Sequence, residues 1–265
     1  MKVFYIFLFF SICILSCKNI EYSPNQIFDK NSYKNINAKN LKKISNGNQD
    51  DTVRFIITGD TQEWYDETVK FYKKVNTMPG IDFVIVAGDV TEFGTLKEMQ
   101  WLAEKLNHLN PPYVTVIGNH DLTSRGRDAF ARMYGDLNFS FVNGGIKFIC
   151  HDTNSREYQF NGSVPNISWL KNELKPDAGI SNYVAISHVP PTSNDFDKSL
   201  IKEYAAAFDE TPGFLASFHG HTHNFEKFKL DNSNIPYVIT SAMGKREFLL
   251  VEIINKKLSF EQISF

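Results

Sequence analysis

Asp60, Asp89, Asn119, His120, Asp121, His188, His221 and His223 share a setting in this chain, because each follows closely on a short apolar run of β character. The runs are Phe55-Ile56-Ile57-Thr58, Phe83-Val84-Ile85-Val86, Tyr113-Val114-Thr115-Val116-Ile117, Tyr183-Val184-Ala185-Ile186 and Phe214-Leu215-Ala216-Ser217-Phe218. They lead into Gly59-Asp60, Gly88-Asp89, Gly118-Asn119-His120-Asp121, His188 and Gly220-His221-Thr222-His223. Carboxylates, side-chain amides and imidazoles are the donors that hold divalent cations. Two such ions about 3.5–4 Å apart can hold both the attacking and the leaving oxygens of a displacement at phosphorus. A pair of ions needs a bridging carboxylate, and Asp89, at the end of a central strand, is the candidate.

These residues meet only if the strands before them end together. Buried parallel strands read as continuous apolar runs, and sites in open α/β sheets form beyond the carboxyl ends of the strands. The endings are therefore expected along one edge of one sheet. Between the runs lie helical stretches, from Glu67 to Val75 and from Leu96 to Leu109, the second with apolar Leu96, Met99, Leu102, Leu106 and Leu109 and a stop at Pro111-Pro112. Strand and helix in alternation mark right-handed parallel crossovers. Asn143-Gly144-Gly145 reads as a hairpin turn between Phe139 and Ile149, and Ile167 to Leu174 as a short helix. The tail, Phe248 to Ile254 and Leu258 to Phe265 around Asn255-Lys256, is β throughout and suggests an antiparallel second layer. The expected fold class is α/β: two stacked mixed β-sheets flanked by helices, a βαβαβ sandwich.

A chain of 265 residues suits one substantial α/β core. Its net charge of −2 lacks the basic footprint of nucleic-acid binding, so no nucleic-acid partner is expected. At the amino terminus, Lys2 and the apolar stretch Val3 to Leu15 read as a signal peptide over residues 1–16. Ile14-Leu15-Ser16-Cys17 resembles a bacterial lipobox with Cys17 as the lipidated residue. Residues 17–51, polar and rich in Asn, Lys and Ser, read as a flexible tether, with the folded domain over 52–265. The expected location is the bacterial cell envelope, lipid-anchored to a membrane, with the domain in the periplasm or at the cell surface. With Cys13 removed and Cys17 acylated, Cys150 is the one thiol left of the 3 cysteines, and it reads as a small buried hydrophobe.

Taken in order, Gly59-Asp60-Thr61-Gln62, Gly88-Asp89-Val90-Thr91, Gly118-Asn119-His120-Asp121, Ser187-His188 and Gly220-His221-Thr222-His223 resemble the motif set of the calcineurin-like metallophosphoesterases. The likeness runs from about Thr52 to the carboxyl terminus and includes the Trp169-Leu170 helix. It implies a first ion held by Asp60, Gln62, Asp89 and His223, and a second held by Asp89, Asn119, His188 and His221. Mixed oxygen and nitrogen ligation suits Mn, Fe or Zn better than Mg or Ca. Gln62 stands where the family more commonly has His, and its amide oxygen is a weaker donor than imidazole. By the same resemblance, His120 protonates the leaving group or stabilises charge in the transition state, while Asp121 either orients that imidazole or caps its own loop.

The implied activity is a dinuclear metal-dependent phosphatase or phosphodiesterase, in which metal-bound hydroxide attacks a phosphate mono- or diester whose identity the sequence leaves open. Two other readings stand beside it: a non-catalytic metal-binding envelope lipoprotein of the same fold, and a dinuclear hydrolase of another class, such as an amidase. Around the motifs, Arg125 and Arg127 are candidates to grip a phosphate. His151 and Asn154 are candidates to touch substrate, and Trp64 and Tyr65 to wall its organic part. His219 is expected to face away from the site as a satisfied, partly buried imidazole.

Overall fold

The computed structural model describes residues 28–30, 32–45 and 52–265. The signal peptide, Cys17 and much of the expected tether lie outside the described residues.

The first half of the domain is a parallel crossover unit. β1 (Thr52–Thr58), β2 (Phe83–Val86) and β3 (Tyr113–Thr115) lie side by side and parallel. The connecting helices are α2 (Tyr65–Val75), numbered after a preceding helix described below, and α3 (Leu96–Leu106). Thr95 caps α3 and forms a reciprocal box with Glu98, satisfying amides at the helix start. Side chains alternate across β1: Phe55 and Ile57 point to the core between the two sheets, and Ile56 to the core under the helices.

The second half repeats this plan in another sheet. β4 (Phe139–Asn143) and β5 (Ile146–Cys150) form the expected hairpin. β6 (Asn182–Ile186), β7 (Phe214–His219) and β9 (Tyr237–Ile239) continue in parallel from β5, and β8 (Glu226–Phe228) closes the edge antiparallel to β9. Helix α4 (Gly126–Met133) packs into the core of the first sheet through Ala129, Phe130 and Met133, and α5 (Ile167–Glu173) and α6 (Ile201–Asp209) connect strands of the second sheet. Phe55 stacks on Phe83 at 5.2 Å and meets Phe148 edge-on at 5.2 Å, so aromatic packing binds the two sheets. The architecture is two mixed sheets flanked by helices, as the fold class expected.

Three expectations are corrected. The motif endings do not share one sheet: the first three leave β1 to β3, in a five-stranded sheet, and the last two leave β6 and β7, in a six-stranded sheet. They converge at a common edge of the stack instead. The tail is not the second layer either. β10 (Glu247–Ile254) and β11 (Lys257–Ser264) join the first sheet, with β10 antiparallel to β1, and this covers an edge of β1 that would otherwise stay unpaired.

The third correction concerns residues read as tether. Ile36–Ser45 forms helix α1, docked on the domain. Ile36 and Ile44 are buried in its cores, and so are Asn37 and Asn40. The Asn37 amide donates to Thr115 O at 2.8 Å and accepts from Thr115 N at 3.0 Å, while Asn40 donates to Tyr113 O at 2.8 Å. Two asparagines thus pair with the open side of edge strand β3, a burial that a hydrophobic pattern does not register.

Candidate active site

The strand ends carry the candidate ligands on strained backbone. Asp60 (φ 49°), Gln62 (φ 33°), Asp89 (φ 50°), His221 (φ 78°) and His223 (φ 63°) all sit in the left-handed region, which side-chain-bearing residues rarely adopt. Cross-strand bonds hold the loops: Asp60 N donates to Gly88 O at 3.1 Å, and Thr61 N and Gln62 N to Asp89 O at 3.0 and 3.1 Å. The motif glycines permit close approach. A Cβ on Gly88, where φ is +87°, would lie 2.5 Å from His188 Nδ1, and one on Gly118 would lie 2.1 Å from Asp89 N.

The donor atoms then crowd together. His188 Nε2 lies 3.1 Å from Asp89 Oδ2 and 3.1 Å from Asn119 Oδ1, and Asn119 Oδ1 lies 3.0 Å from His221 Nδ1. His223 Nε2 lies 3.4 Å from Asp60 Oδ1, and donor atoms of Asp60, Asp89 and His223 all fall within 4.8 Å of one another. Separations of about 3 Å are the edges of a coordination polyhedron with metal–ligand bonds of about 2.1 Å. His188 Nδ1 meets Ala87 O at 2.7 Å, which leaves Nε2 to face the other donors.

Electrostatics agree with the geometry. Burial opposes charge on His188, but the Asp89 carboxylate outweighs it and pushes the imidazole up to about 10. His223 is raised by its hydrogen bond to Asp60. The carboxylates thus make a buried field that favours cations. Asp89, nearly inaccessible at 1% exposure, is shared by both groups of donors. The set fits divalent ions in its donor chemistry, charge and spacing.

Comparison with known families decides the assignment at this point, since the family model of the calcineurin-like phosphoesterases matches residues 53–225. The chain belongs to this family. Relatives of the phosphoesterase include a 3′,5′-cyclic-nucleotide phosphodiesterase of Nostoc sp., 25% identical over 166 residues, or 60% of this chain and 62% of that protein. A serine/threonine-protein phosphatase of Pongo abelii is 26% identical over 209 residues, or 68% of this chain and 64% of that protein. The chain therefore spans less than two thirds of the length of these curated relatives. A dimetal phosphatase from Danio rerio has a similar fold, with a TM-score of 0.62 at 12% identity over 79% of this chain and 95% of that one.

Within this family framework His120 and Asp121 part company. His120 is half-buried, its amide donates to Asp89 Oδ1 at 3.0 Å, and its Nδ1 meets Glu92 O at 2.9 Å and the Glu92 carboxylate at 3.6 Å. Partial burial opposes its charge, and Asp89 with Glu92 raises it above the ordinary histidine value. Asp121 does not orient this imidazole, which corrects the expectation. Its buried carboxylate accepts from Gly118 N at 2.8 Å, Thr91 N at 2.9 Å and Thr91 Oγ1 at 2.8 Å, stapling the second and third motif loops together. Burial and the Asp89 charge push it up to about 7. Glu92 is the residue that sequence reading missed. Its loop is folded by Glu98, which accepts from Glu92 N at 3.2 Å and Phe93 N at 3.1 Å, so the capping-box residue of α3 was the available signal.

The flanking candidates divide. Arg125 is exposed after His120, and Arg127 is exposed on the first turn of α4, where its Nε donates to Tyr158 Oη at 3.3 Å beside a cavity of about 430 Å³ that Asp152 also lines. His151 and Asn154 cannot reach substrate as expected, being 1% and 0% exposed. His151 Nε2 meets Tyr204 Oη at 2.9 Å, and Asn154 donates to Asp152 Oδ1 at 2.8 Å and Ile117 O at 3.2 Å. Trp64 is exposed beside Gly244, and Tyr65 lines a cleft with Phe93 and Trp101. Gln62 is buried on the first motif loop, where its backbone amide is tied to the carbonyl of the bridging candidate Asp89. His219 is buried between Ser187 Oγ and Ser217 Oγ, each at 3.0 Å, a satisfied imidazole facing away as expected.

Proposed function

We propose that the chain is a dinuclear metal-dependent hydrolase of phosphate mono- or diesters. The observation that carries this reading is the crowding of Asp89, His188, Asn119 and His221 donor atoms at 3.0–3.1 Å, next to the Asp60, Asp89 and His223 group. Asp60, Gln62, Asp89 and His223 would hold one ion and Asp89, Asn119, His188 and His221 the other, with Mn, Fe or Zn favoured by the nitrogen donors. When bound, the ions supply an activated water and the positive charge that phosphoryl transfer requires. Asp89, whose carboxylate faces both groups of donors, would offset the repulsion between two cations held there. With Nδ1 engaged by Glu92, His120 keeps Nε2 as the nitrogen open to a leaving-group oxygen, where it holds and delivers a proton. The names of the curated relatives, a phosphatase and a cyclic-nucleotide phosphodiesterase, support both ester classes. The lipobox-like Ile14-Leu15-Ser16-Cys17 supports a membrane-tethered envelope location.

The test is hydrolysis of p-nitrophenyl phosphate and bis-p-nitrophenyl phosphate with metals supplied one at a time, alongside Asp89→Asn. Metal-dependent turnover in the wild type, lost together with bound metal in the variant, is the expected result. Stoichiometric metal binding without cleavage of any ester in a broad phosphate-ester screen would favour a binding module of the same fold.

A further inference from the structure

The chain between His188 and α6 returns to the site from outside the motif set. Asp195 is buried there, and its Oδ2 lies 3.3 Å from Nε2 of His221. Ser193 Oγ lies 3.2 Å from the same nitrogen and accepts the Asp195 amide at 3.1 Å. The other Asp195 oxygen pairs with the Arg156 guanidinium, and the Arg156 amide donates to Asp195 O at 3.1 Å. The opposite nitrogen of His221, Nδ1, faces Asn119 Oδ1 at 3.0 Å.

A neutral imidazole carries one proton, and the nitrogen bearing it is no metal ligand. A carboxylate facing Nε2 draws the proton there and turns the lone pair of Nδ1 toward Asn119. His188 shows the opposite arrangement, since Ala87 O takes its Nδ1 and leaves Nε2 among the donors. The two imidazoles of the second group therefore use different nitrogens, and a dedicated partner selects each. We propose that Asp195, clamped by Arg156 and Ser193, is a positioning residue that sets the tautomer and orientation of His221 for the second ion. The inference rests on the dinuclear reading above. Neither Asp195 nor Arg156 belongs to the strand-end motifs; they reach the site from the loop after β6 and the turn after β5.

Partners of this kind commonly change metal affinity by about 10- to 100-fold. Titration of the purified full chain with Co(II), followed by visible absorption and by elemental analysis after gel filtration, tests the role. The wild type is expected to bind two ions. Asp195→Ala should bind the second about 10- to 100-fold more weakly and alter its ligand-field spectrum, with the first ion unaffected. Asp195→Asn, which keeps an acceptor oxygen for Nε2–H, should fall between the two. In a His221→Ala background, Asp195→Ala should add no further loss, because its effect runs through that imidazole. Ser193→Ala, which leaves the Arg156 clamp in place, should weaken the second ion by less than about 10-fold. Two ions bound by Asp195→Ala with wild-type affinity and spectrum would overturn the positioning role. So would a loss that persists undiminished without His221. A wild-type chain that binds fewer than two Co(II) ions would instead overturn the dinuclear reading, and this proposal with it.

Discussion

Nδ1 of His120 lies 2.9 Å from the backbone carbonyl of Glu92 and 3.6 Å from its carboxylate, whereas Asp121, the next residue in the chain, turns its carboxylate into the loops behind. Proximity in sequence therefore misleads about which acid serves the imidazole. The carbonyl fixes the ring, and the carboxylate tunes its charge.

From this relationship, His120→Ala should leave metal content unchanged and lower kcat by about 100- to 10,000-fold, the range for a general acid. Glu92→Gln retains the backbone carbonyl and should lower kcat by about 10-fold, at the mild end for an outer partner. Measuring kcat on substrates of graded leaving-group acidity checks both. The His120→Ala loss should shrink as the leaving group improves, and an equal loss for all of them would exclude proton delivery.

Gly88 is a second point of control. Its φ is +87°, and a Cβ added there would come within 2.5 Å of His188 Nδ1, so Gly88→Ala must strain the backbone and displace the imidazole together. Left-handed backbone alone costs about 1–2 kcal/mol for a side-chain-bearing residue. We expect a lowered unfolding midpoint and weakened binding of one ion. A variant with wild-type metal affinity by chelator competition would contradict the geometry.

Helix α1 gives a prediction about the domain boundary. Removal of the Asn37 side chain leaves the buried N–H and C=O of Thr115 without the partners at 3.0 and 2.8 Å that it supplies. Asn37→Ala should therefore destabilise the domain by about 1–3 kcal/mol in urea unfolding. A chain beginning at Thr52 should lose more, since it also uncovers the packing of Ile36 and Ile44. Unchanged stability in both would return this segment to the tether.

Acid stability should report on His151. Burial pushes this imidazole down to about 4, against about 6.5 in an unfolded chain. The unfolded state then binds the extra proton between those values, so stability rises with pH there and is lost as pH falls from about 6.5 toward about 4. Between pH 7 and pH 5 the loss from this one group amounts to about 2 kcal/mol. Denaturant unfolding of the wild type and His151→Gln at both pH values checks it: the variant should lose less on acidification, by about that amount. Equal losses would show that His151 is not held neutral.

The sequence by itself determined the strands that carry the motifs, their order along the chain and the donor types at their ends. This is because a buried strand and the Gly-Asp or Gly-His turn after it are written in adjacent residues, where apolar runs and turn chemistry act locally. Gly88 and Gly118 could be read as motif glycines for the same reason. The tertiary structure alone decided which sheet each strand joined and which nitrogen of each imidazole faces the donors. It also decided that Glu92 rather than Asp121 serves His120, and that two asparagines of α1 seal an edge strand. Those outcomes depend on partners far apart in the chain: His188 is oriented by Ala87 across 101 residues, and Asn37 pairs with Thr115 across 78. A hydrogen bond needs its acceptor within about 3 Å and in line, and no local pattern in the chain encodes where a remote carbonyl will come to rest. Burial of polar side chains follows the same logic, because Asn37, Asp121 and His151 are inside only where folding has already supplied their partners.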